Sequence, residues 1–422
     1  MKAWGRLRGP RLRCGAMRFQ VLPGFRDFFP EDLAIRRWIE SAWHGASRAA
    51  GFQEFDGPVL ESLELFTAKS GEEISGQLYT FVDKGDRAVA LRPEMTPTLA
   101  RMMAARANGL ARPIKWYCVP EFYRYEKPQR GRQRAFYQWN VDVIGSDEPA
   151  ADAEPIAVAL DALSRLGLGE RDVGVRINDR RLLARTLRDL DVAPDQDGDV
   201  LAIIDKLERD RGAGERLETL LGAARARVIQ DYCESFPLAR APELAGVLDA
   251  CRDYGIGSAL VPDFRIVRGL AYYTGPVWEI FDAGRELRAV AGGGRYDGLI
   301  GALGGPELPA LGFGMGDAVL GELLAARKLV PTTPPRVEVV VVPVTPELAG
   351  AARQLTARLR ARGVAAEAPY GVPRIGRALK AADAAGASRV VIVGPDEWKD
   401  GNVTAKDLAS GAETIVRADE LS

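Results

Sequence analysis

The chain has one histidine, His44, among 422 residues. With no second imidazole available, a Ser-His couple or a histidine-built metal site is excluded, and a lone histidine at the end of an amphipathic stripe reads as structural. Cysteine is nearly as scarce: Cys14, Cys118, Cys233 and Cys251 lie far apart, with no CxxC pair. That spacing argues against a thiolate zinc site and a disulfide scaffold, and it fits a reducing cytoplasm. No apolar run approaches the ~20 residues that a membrane helix needs. The glycines Gly312, Gly314 and Gly316 are followed by no GK[ST] and lack the GxGxxG spacing, so phosphate loops of those two kinds are excluded. Excess charge of one sign is missing too, with 57 Lys plus Arg against 58 Asp plus Glu. Any contact with nucleic acid must therefore use a local basic patch.

What is present is ordinary for a globular protein: 47% apolar and 27% charged residues, in a length that predicts two or three domains. Residues 1–16 form a basic N-terminal extension with five basic and no acidic side chains but no apolar core for a secretory signal. We read it as an over-extended start or a basic arm in preference to an organelle transit peptide. From Pro30, the apolar positions Leu33, Ile35, Trp38, Ile39, Ala42 and Trp43 predict an amphipathic helix that Gly51 closes. FQEFDGPVLESLELF then predicts a strand ending at Gly57-Pro58, and a strand-edge proline beside that helix suits a subunit or domain edge. A hairpin is expected around Lys84-Gly85-Asp86. After it, Pro93 breaks the strand and puts Glu94 and Thr96 at a strand-to-helix junction, where they either reach into a cleft or merely cap the helix.

The stretch 122–145, FYRYEKPQRGRQRAFYQWNVDVIG, predicts two antiparallel strands joined by a basic loop. Strand alternation sorts the second of them into Tyr137, Trp139, Val141 and Val143 on one face and Phe136, Gln138, Asn140 and Asp142 on the other. An apolar face packs, whereas a row of Gln, Asn and Asp needs something polar to look at. The loop offers Lys127, Arg130, Arg132 and Arg134 to an anion.

Beyond residue 150 the pattern is helical to about Tyr254, with one strand, VGVRIND, inside it. Sheet signals return at Phe264, and Arg268-Gly269-Leu270 turns into a strand expected to carry Tyr272 and Tyr273. The run Gly292-Gly293-Gly294-Arg295 predicts close approach of backbone to a ligand. The alternating Gly312, Gly314 and Gly316 leave room for a flat ligand or for close helix packing. Pro331-Thr332-Thr333-Pro334-Pro335 reads as a stiff linker to a smaller domain of ~90 residues, in which Val/Ile runs alternate with helices.

These residues, in this order, resemble the histidyl-tRNA synthetase family of class II aminoacyl-tRNA synthetases over nearly the whole chain after Met17. LPGFRDFFPED and the helix before Gly57-Pro58 resemble the opening and the dimer-forming motif 1. FYRYEKPQRGR with FYQ resembles motif 2, and LRPEMT and RGLAYY resemble the two histidine-specific stretches. The resemblance implies an α+β fold: a class II antiparallel sheet flanked by helices, a helical insertion and a C-terminal α/β anticodon-binding domain. It divides the chain into a first catalytic part at 17–150, an insertion at 151–262, a second catalytic part at 263–330, a linker at 331–335 and the anticodon-binding domain at 336–422.

The same resemblance implies a cytoplasmic homodimer that uses ATP and Mg²⁺, with histidine and tRNA(His) as partners and no membrane. Carried over residue by residue, Arg124 and Arg268 would be catalytic, at the ATP α-phosphate and the substrate carboxylate. Arg124, Glu126, Arg132, Phe136, Gly314 and Gly316 would bind ATP. Glu94, Thr96, Gln138, Asp142, Arg268, Tyr272 and Tyr273 would bind histidine, with Asp142 and Tyr273 on the two imidazole nitrogens.

Two positions depart from the family pattern. Val319 stands where motif 3 carries an arginine, and Ala271 where many relatives carry an aspartate. Either ATP is held differently, through Arg132, Arg134 or Arg295, or catalysis has lapsed. A rival reading is a histidine-binding, non-catalytic regulator of ATP phosphoribosyltransferase; such paralogues usually lack the anticodon domain and the arginine stretch, both of which this chain keeps.

Overall fold

A computed structural model describes residues 19–67, 76–207, 210–235, 238, 241–268, 272–332 and 336–421. The basic extension at 1–16, Ala271 and part of the linker lie outside these. The chain divides into two compact units, Met1–Val330 and Pro331–Ser422.

The first unit is built on one sheet. In chain order its strands are β1 (Gln53–Glu54), then β5 (Ile114–Cys118), β6 (Glu121–Tyr123), β7 (Ala135–Ile144), β8 (Val173–Asp179), β9 (Leu260–Pro262), β10 (Pro276–Asp282), β11 (Ala291–Arg295) and β12 (Ala310–Gly316), while β2 (Leu60–Ser62), β3 (Thr80–Val82) and β4 (Ala88–Leu91) make a separate three-stranded sheet. The spatial order is β1-β5-β7-β12-β11-β10-β8-β9, with β6 hydrogen-bonded to β7 off this path. Every pairing from β5 to β8 is antiparallel, and only the short edge strands β1 and β9 run parallel to their neighbours.

The helix Pro30–Ala49 has proline at its start, Glu31 and Asp32 in its first turn and Arg48 in its last, each placed to suit the helix dipole. Its buried Ile39, Ala42, Trp43 and Ala46 join Trp139, Val141 and Val143 of β7 in one core. Trp139 stacks on Trp43 at 6.1 Å and donates from Nε1 to Ser47 at 2.9 Å. One face of β7 is thereby sealed. His44 meets the Tyr117 hydroxyl at 3.0 Å through Nδ1, a structural contact.

The stretch after Gly51 gives β1 in the large sheet before Gly57-Pro58 and β2 in the small sheet after it. The strand expected from VGVRIND is β8, which belongs to the large sheet together with β9, and the helix Pro149–Arg165 packs against the sheet core. The helices that lie between β8 and β9, from Arg180–Asp189 to Pro242–Asp253, share that core through Leu183, Leu217 and Leu244.

The second unit holds β13 (Val339–Pro343), β14 (Ala366–Glu367), β15 (Arg389–Val393), β16 (Asn402–Asp407) and β17 (Glu413–Arg417), ordered β14-β13-β15-β16-β17. Parallel pairing around β13 and antiparallel pairing beyond β15 make it a mixed sheet. Helices Ala349–Ala361 and Ile375–Ala384 contribute to two separate cores, one with Val341 and Val391 and one with Val340 and Val390, so alternate strand positions are buried on both faces.

Candidate active site

The face of β7 opposite Trp139 carries the polar row. Asp142 and Asn140 are both buried, and Gln138 donates to Asn140 at 2.9 Å. Asp142 accepts a hydrogen bond of 2.5 Å from the Tyr296 hydroxyl. Burial pushes its carboxyl up to about 7, against the opposite pull of that hydroxyl.

Room for this row comes from the next strand. Gly312 lies opposite Asp142 in the register of β7 with β12, and a Cβ there would stand 2.2 Å from Asp142 Oδ1. A Cβ at Gly314 would stand 2.4 Å from Gln138 Nε2, whereas Gly316 faces open space. So two of the three glycines accommodate neighbouring polar side chains rather than a ligand. In the Gly292–Gly294 run, a Cβ at Gly292 would meet the Arg268 guanidinium at 2.7 Å, and at Gly293 the Gly312 carbonyl at 2.3 Å. The run sits buried inside the sheet, and Gly292 lines the cleft beside Arg268.

Arg268 is placed by the segment that precedes β10. Asn178, buried at the end of β8, donates to the carbonyls of Phe264 and Ile266, and the chain then turns through a left-handed φ of 56° at Arg268 itself. Its guanidinium pairs with Glu279 of β10, and its Nε finds no partner among the described residues. Tyr272 and Tyr273 precede β10 and are not in a strand, since the strand begins at Pro276. Burial raises the pKa of the Tyr273 hydroxyl, and the charge of Arg268 beside it pulls the other way.

Glu94 lies between β4 and the helix Thr96–Arg106 and is buried. Its Oε2 accepts from the Tyr272 hydroxyl at 2.7 Å, Thr96 bonds to that same tyrosine, and Oε1 has no partner among the described residues. Burial raises its pKa, opposed by Tyr272 and by the charge of Arg124. A buried acceptor of this kind is costly to leave unmet, which makes Oε1 a waiting place for a cationic donor.

These groups form two connected parts. A cleft of about 920 Å³ is lined by Arg124, Glu126, Arg132, Phe136, Gln138 and Arg268, with Gly314, Gly316 and Val319 also in its wall. Behind it sit Glu94, Thr96, Tyr272, Tyr273 and Asp142, joined by Tyr296, whose ring centroid is 5.9 Å from that of Tyr272. Arg268 belongs to both parts, lining the cleft while its charge acts on the Tyr273 hydroxyl.

Sequence reasoning missed Tyr296 and Glu279. The only signal for Tyr296 was a hydroxyl beside Arg295 in a glycine-rich run, and for Glu279 an acid in an otherwise apolar strand.

At the cleft mouth the loop between β6 and β7 folds back on itself. Arg124 donates to the Pro93 carbonyl at 2.9 Å and lies 5.2 Å from the Phe136 ring centroid. Arg132 pairs with Glu126, and Arg130 reaches Glu322 of the helix Asp317–Ala326 at 2.7 Å. The other two arginines expected to take over phosphate binding are engaged elsewhere. Arg295 is buried, paired with Asp152 at 2.6 Å and Asp297 at 3.2 Å. Arg134 donates to the Glu126 carbonyl at 2.9 Å and covers the Tyr125 ring.

A polyanion fits the arginine cleft, and a small ligand with a cationic group and ring donors fits the carboxylate and tyrosine cluster. Among the described residues, no three acidic, histidine or cysteine side chains converge as a metal cage. Of the carboxylates that line the cleft, Glu126, Asp263 and Glu279 are paired with arginines. A Mg²⁺ ion fits here only as one carried chiefly by phosphate oxygens, which is how this ion is commonly held.

Residues 24–316 match the family model described as histidyl-tRNA synthetase, and residues 338–422 match the anticodon binding domain. The chain is 42% identical to the histidine-tRNA ligase of Opitutus terrae, over 96% of this chain and 97% of that protein. It is 38% identical to the chloroplastic/mitochondrial histidine-tRNA ligase of Arabidopsis thaliana, over 94% of this chain and 85% of that one. Among solved structures, the histidyl-tRNA synthetase of Nostoc sp. PCC 7120 superposes with a TM-score of 0.80 at 26% identity, covering 96% of this chain and 98% of that one.

Proposed function

The chain belongs to the histidyl-tRNA synthetase family, and we infer that it is a histidine-tRNA ligase, which activates histidine with ATP and transfers it to tRNA(His). The regulatory alternative is disfavoured by the anticodon-binding match at 338–422. The observation that carries the reading is the junction at Arg268, where the polyanion cleft meets the buried carboxylate and tyrosine cluster.

In this reading the histidine α-ammonium takes the unmet Oε1 of Glu94, with Thr96 and Gln138 beside it and Tyr272 holding the other Glu94 oxygen. Asp142 accepts from the imidazole N–H. Tyr296, already bonded to Asp142, fixes that carboxylate, and Tyr273 orients Arg268 while bordering the ring. ATP lies along the cleft, with adenine between Phe136 and the wall at Gly316 and with Glu126 and Arg132 near it.

A histidine carboxylate oxygen attacks the α-phosphorus, the bond to the pyrophosphate oxygen breaks, and charge gathers on the non-bridging oxygens. Arg124 and Arg268 meet that charge with fixed guanidinium donors, so no protein nucleophile is needed. Bound Mg²⁺ would neutralise part of the triphosphate charge. A terminal hydroxyl of tRNA then takes the acyl group and AMP departs.

Selecting an imidazole by a buried acceptor is the type of site that rejects apolar competitors by ~10⁴ or more, because a non-bonding ring leaves Asp142 unmet. Since the Asp142 carboxyl is pushed up to about 7, it is ionised above that pH and neutral below it. The KM for histidine is therefore expected to rise as pH falls by about one unit below neutrality. Asp142→Asn should bind histidine weakly and flatten the profile. A wild-type profile no steeper than that of Asp142→Asn would remove Asp142 from the imidazole.

We also propose a cytoplasmic homodimer. Support for the dimer is the set of exposed apolar side chains Leu60, Phe81 and Val82 on the outer strands of the three-stranded sheet, with Val59 just before it. Light scattering should give twice the chain mass, and a monomer at micromolar concentration would refute it. No helix among the described residues is long and apolar enough to cross a membrane. For the function itself, the test is charging of tRNA(His) transcript with labelled histidine by the purified chain. No acid-precipitable label above a tRNA-free control would reject the ligase reading.

A further inference from the structure

Asn178, near the end of β8, has no exposed surface, and a buried amide has two donors and an acceptor to satisfy. Both donors go to one segment: Nδ2 reaches the Phe264 carbonyl at 3.1 Å and the Ile266 carbonyl at 3.0 Å. Oδ1 accepts from the Asp179 N–H at 2.7 Å and lies 3.5 Å from the Tyr232 hydroxyl. The residues so held, 263–268, belong to no helix or strand, so the amide supplies bonds that a ladder would otherwise give.

That segment delivers Arg268. It starts at the Asp263 N–H, which donates to the Ile177 carbonyl at 2.9 Å, and the Tyr232 ring of the helix Ala223–Glu234 lies 5.4 Å from the Phe264 ring beside it. Two residues beyond the second held carbonyl, Arg268 takes its φ of 56°, a conformation that an arginine keeps only where its surroundings impose it. Its guanidinium is paired with Glu279 of β10, and in the register of β8 with β10 Asn178 stands opposite Val277, two positions from Glu279. Two adjoining strands therefore fix Arg268, with Asn178 holding the main chain that leads to it and Glu279 holding the head group.

We propose that Asn178 is a positioning residue for the activation step, setting the Arg268 guanidinium where the histidine carboxylate meets the α-phosphate. The inserted helices take part through Tyr232, which closes the outer side of the same segment. This rests on the reading of Arg268 as a donor to the charge that builds there. Asn178 does not line the cleft and acts only through Arg268. A donor works in the transition state because it is already in place, so freeing the main chain behind it removes that advantage while the guanidinium itself is still present.

The test pairs histidine-dependent ATP-pyrophosphate exchange with equilibrium binding of histidinol, which keeps the imidazole and the ammonium group and has no carboxylate for Arg268 to meet. Asn178→Ala should lower the kcat of exchange by ~10- to 100-fold, the scale of loss when a catalytic group shifts by about 1 Å. Histidinol should bind that variant with wild-type affinity and stoichiometry. In the Arg268→Lys background the same substitution should cost no more than ~2-fold further, because both changes remove one function. Asn178→Asp, which keeps the size and the acceptor but cannot donate twice, should reproduce the loss where the alanine variant does not fold. Exchange within about twofold of wild type, a loss matched by an equal loss of histidinol sites, or the full further loss in the Arg268→Lys background would each overturn the assignment. Absence of histidine-dependent exchange in the wild type would instead reject the ligase reading, and that is read before any variant is compared.

Discussion

Arg268→Lys is expected to lower histidine-dependent ATP-pyrophosphate exchange by ~10²- to 10³-fold, the usual loss when one preorganised donor to a developing oxyanion is removed. Lysine keeps the positive charge beside Glu279 but loses the planar fork, and with it the pair of directed bonds to carboxylate and phosphate. Alanine is the less informative substitution. It would leave Glu279 in a largely buried setting without its counter-ion, at a cost of about 3 kcal/mol or more if the pair behaved as fully buried, and less here because both side chains keep some solvent contact. A fall in activity would then be mixed with a fall in stability. For the lysine variant the thermal midpoint should stay within a few degrees of wild type while the exchange rate collapses. An exchange rate near that of wild type would show that charge alone suffices and that the guanidinium geometry is idle.

Gly312→Ala should be nearly as damaging, although position 312 offers no functional group. The added methyl would stand 2.2 Å from Asp142 Oδ1 and 2.6 Å from the Val141 carbonyl. A flexible side-chain end can move aside, but the carbonyl is part of the ladder between β7 and β12 and cannot. Asp142 would be driven from its bond to Tyr296, and histidine selection with it, so kcat/KM for histidine should fall by ~10²-fold, about 3 kcal/mol. Gly316→Ala is the control, because nothing lies within 4 Å of its Cβ and the sheet has no reason to shift. Equal behaviour of the two variants in stability and in histidine KM would contradict the packing account of these glycines.

The polar row of β7 was legible because a strand has a period of two: once Trp139, Val141 and Val143 claim the core, Gln138, Asn140 and Asp142 must face the other way. The β4-to-helix junction around Glu94 was legible because proline stops a strand. Side-chain partners set by cross-strand register were not. Tyr296 meets Asp142 from 154 positions away, and Arg295 meets Asp152 across 143, distances over which no local pattern acts. For the same reason Arg295 looked available for phosphate and proved to be committed to an internal ion pair. The glycines were seen as space, but the occupant of that space depends on which strand lies alongside. The strand VGVRIND was legible as β8, whereas its pairing with β9, across 80 residues of helix and turn, was not, because only the fold decides the membership of a sheet. Val319 was noticed from motif spacing, and the structure places it in the wall of the cleft.

The central claim is that the buried cluster behind Arg268 selects histidine for attack on ATP. It is tested most directly by ATP-pyrophosphate exchange with the purified chain, without tRNA, in the presence of each standard amino acid in turn. Histidine alone should drive exchange, and Asp142→Asn should abolish that preference. Exchange driven equally by another amino acid, or none above the amino-acid-free background at saturating histidine, would contradict it.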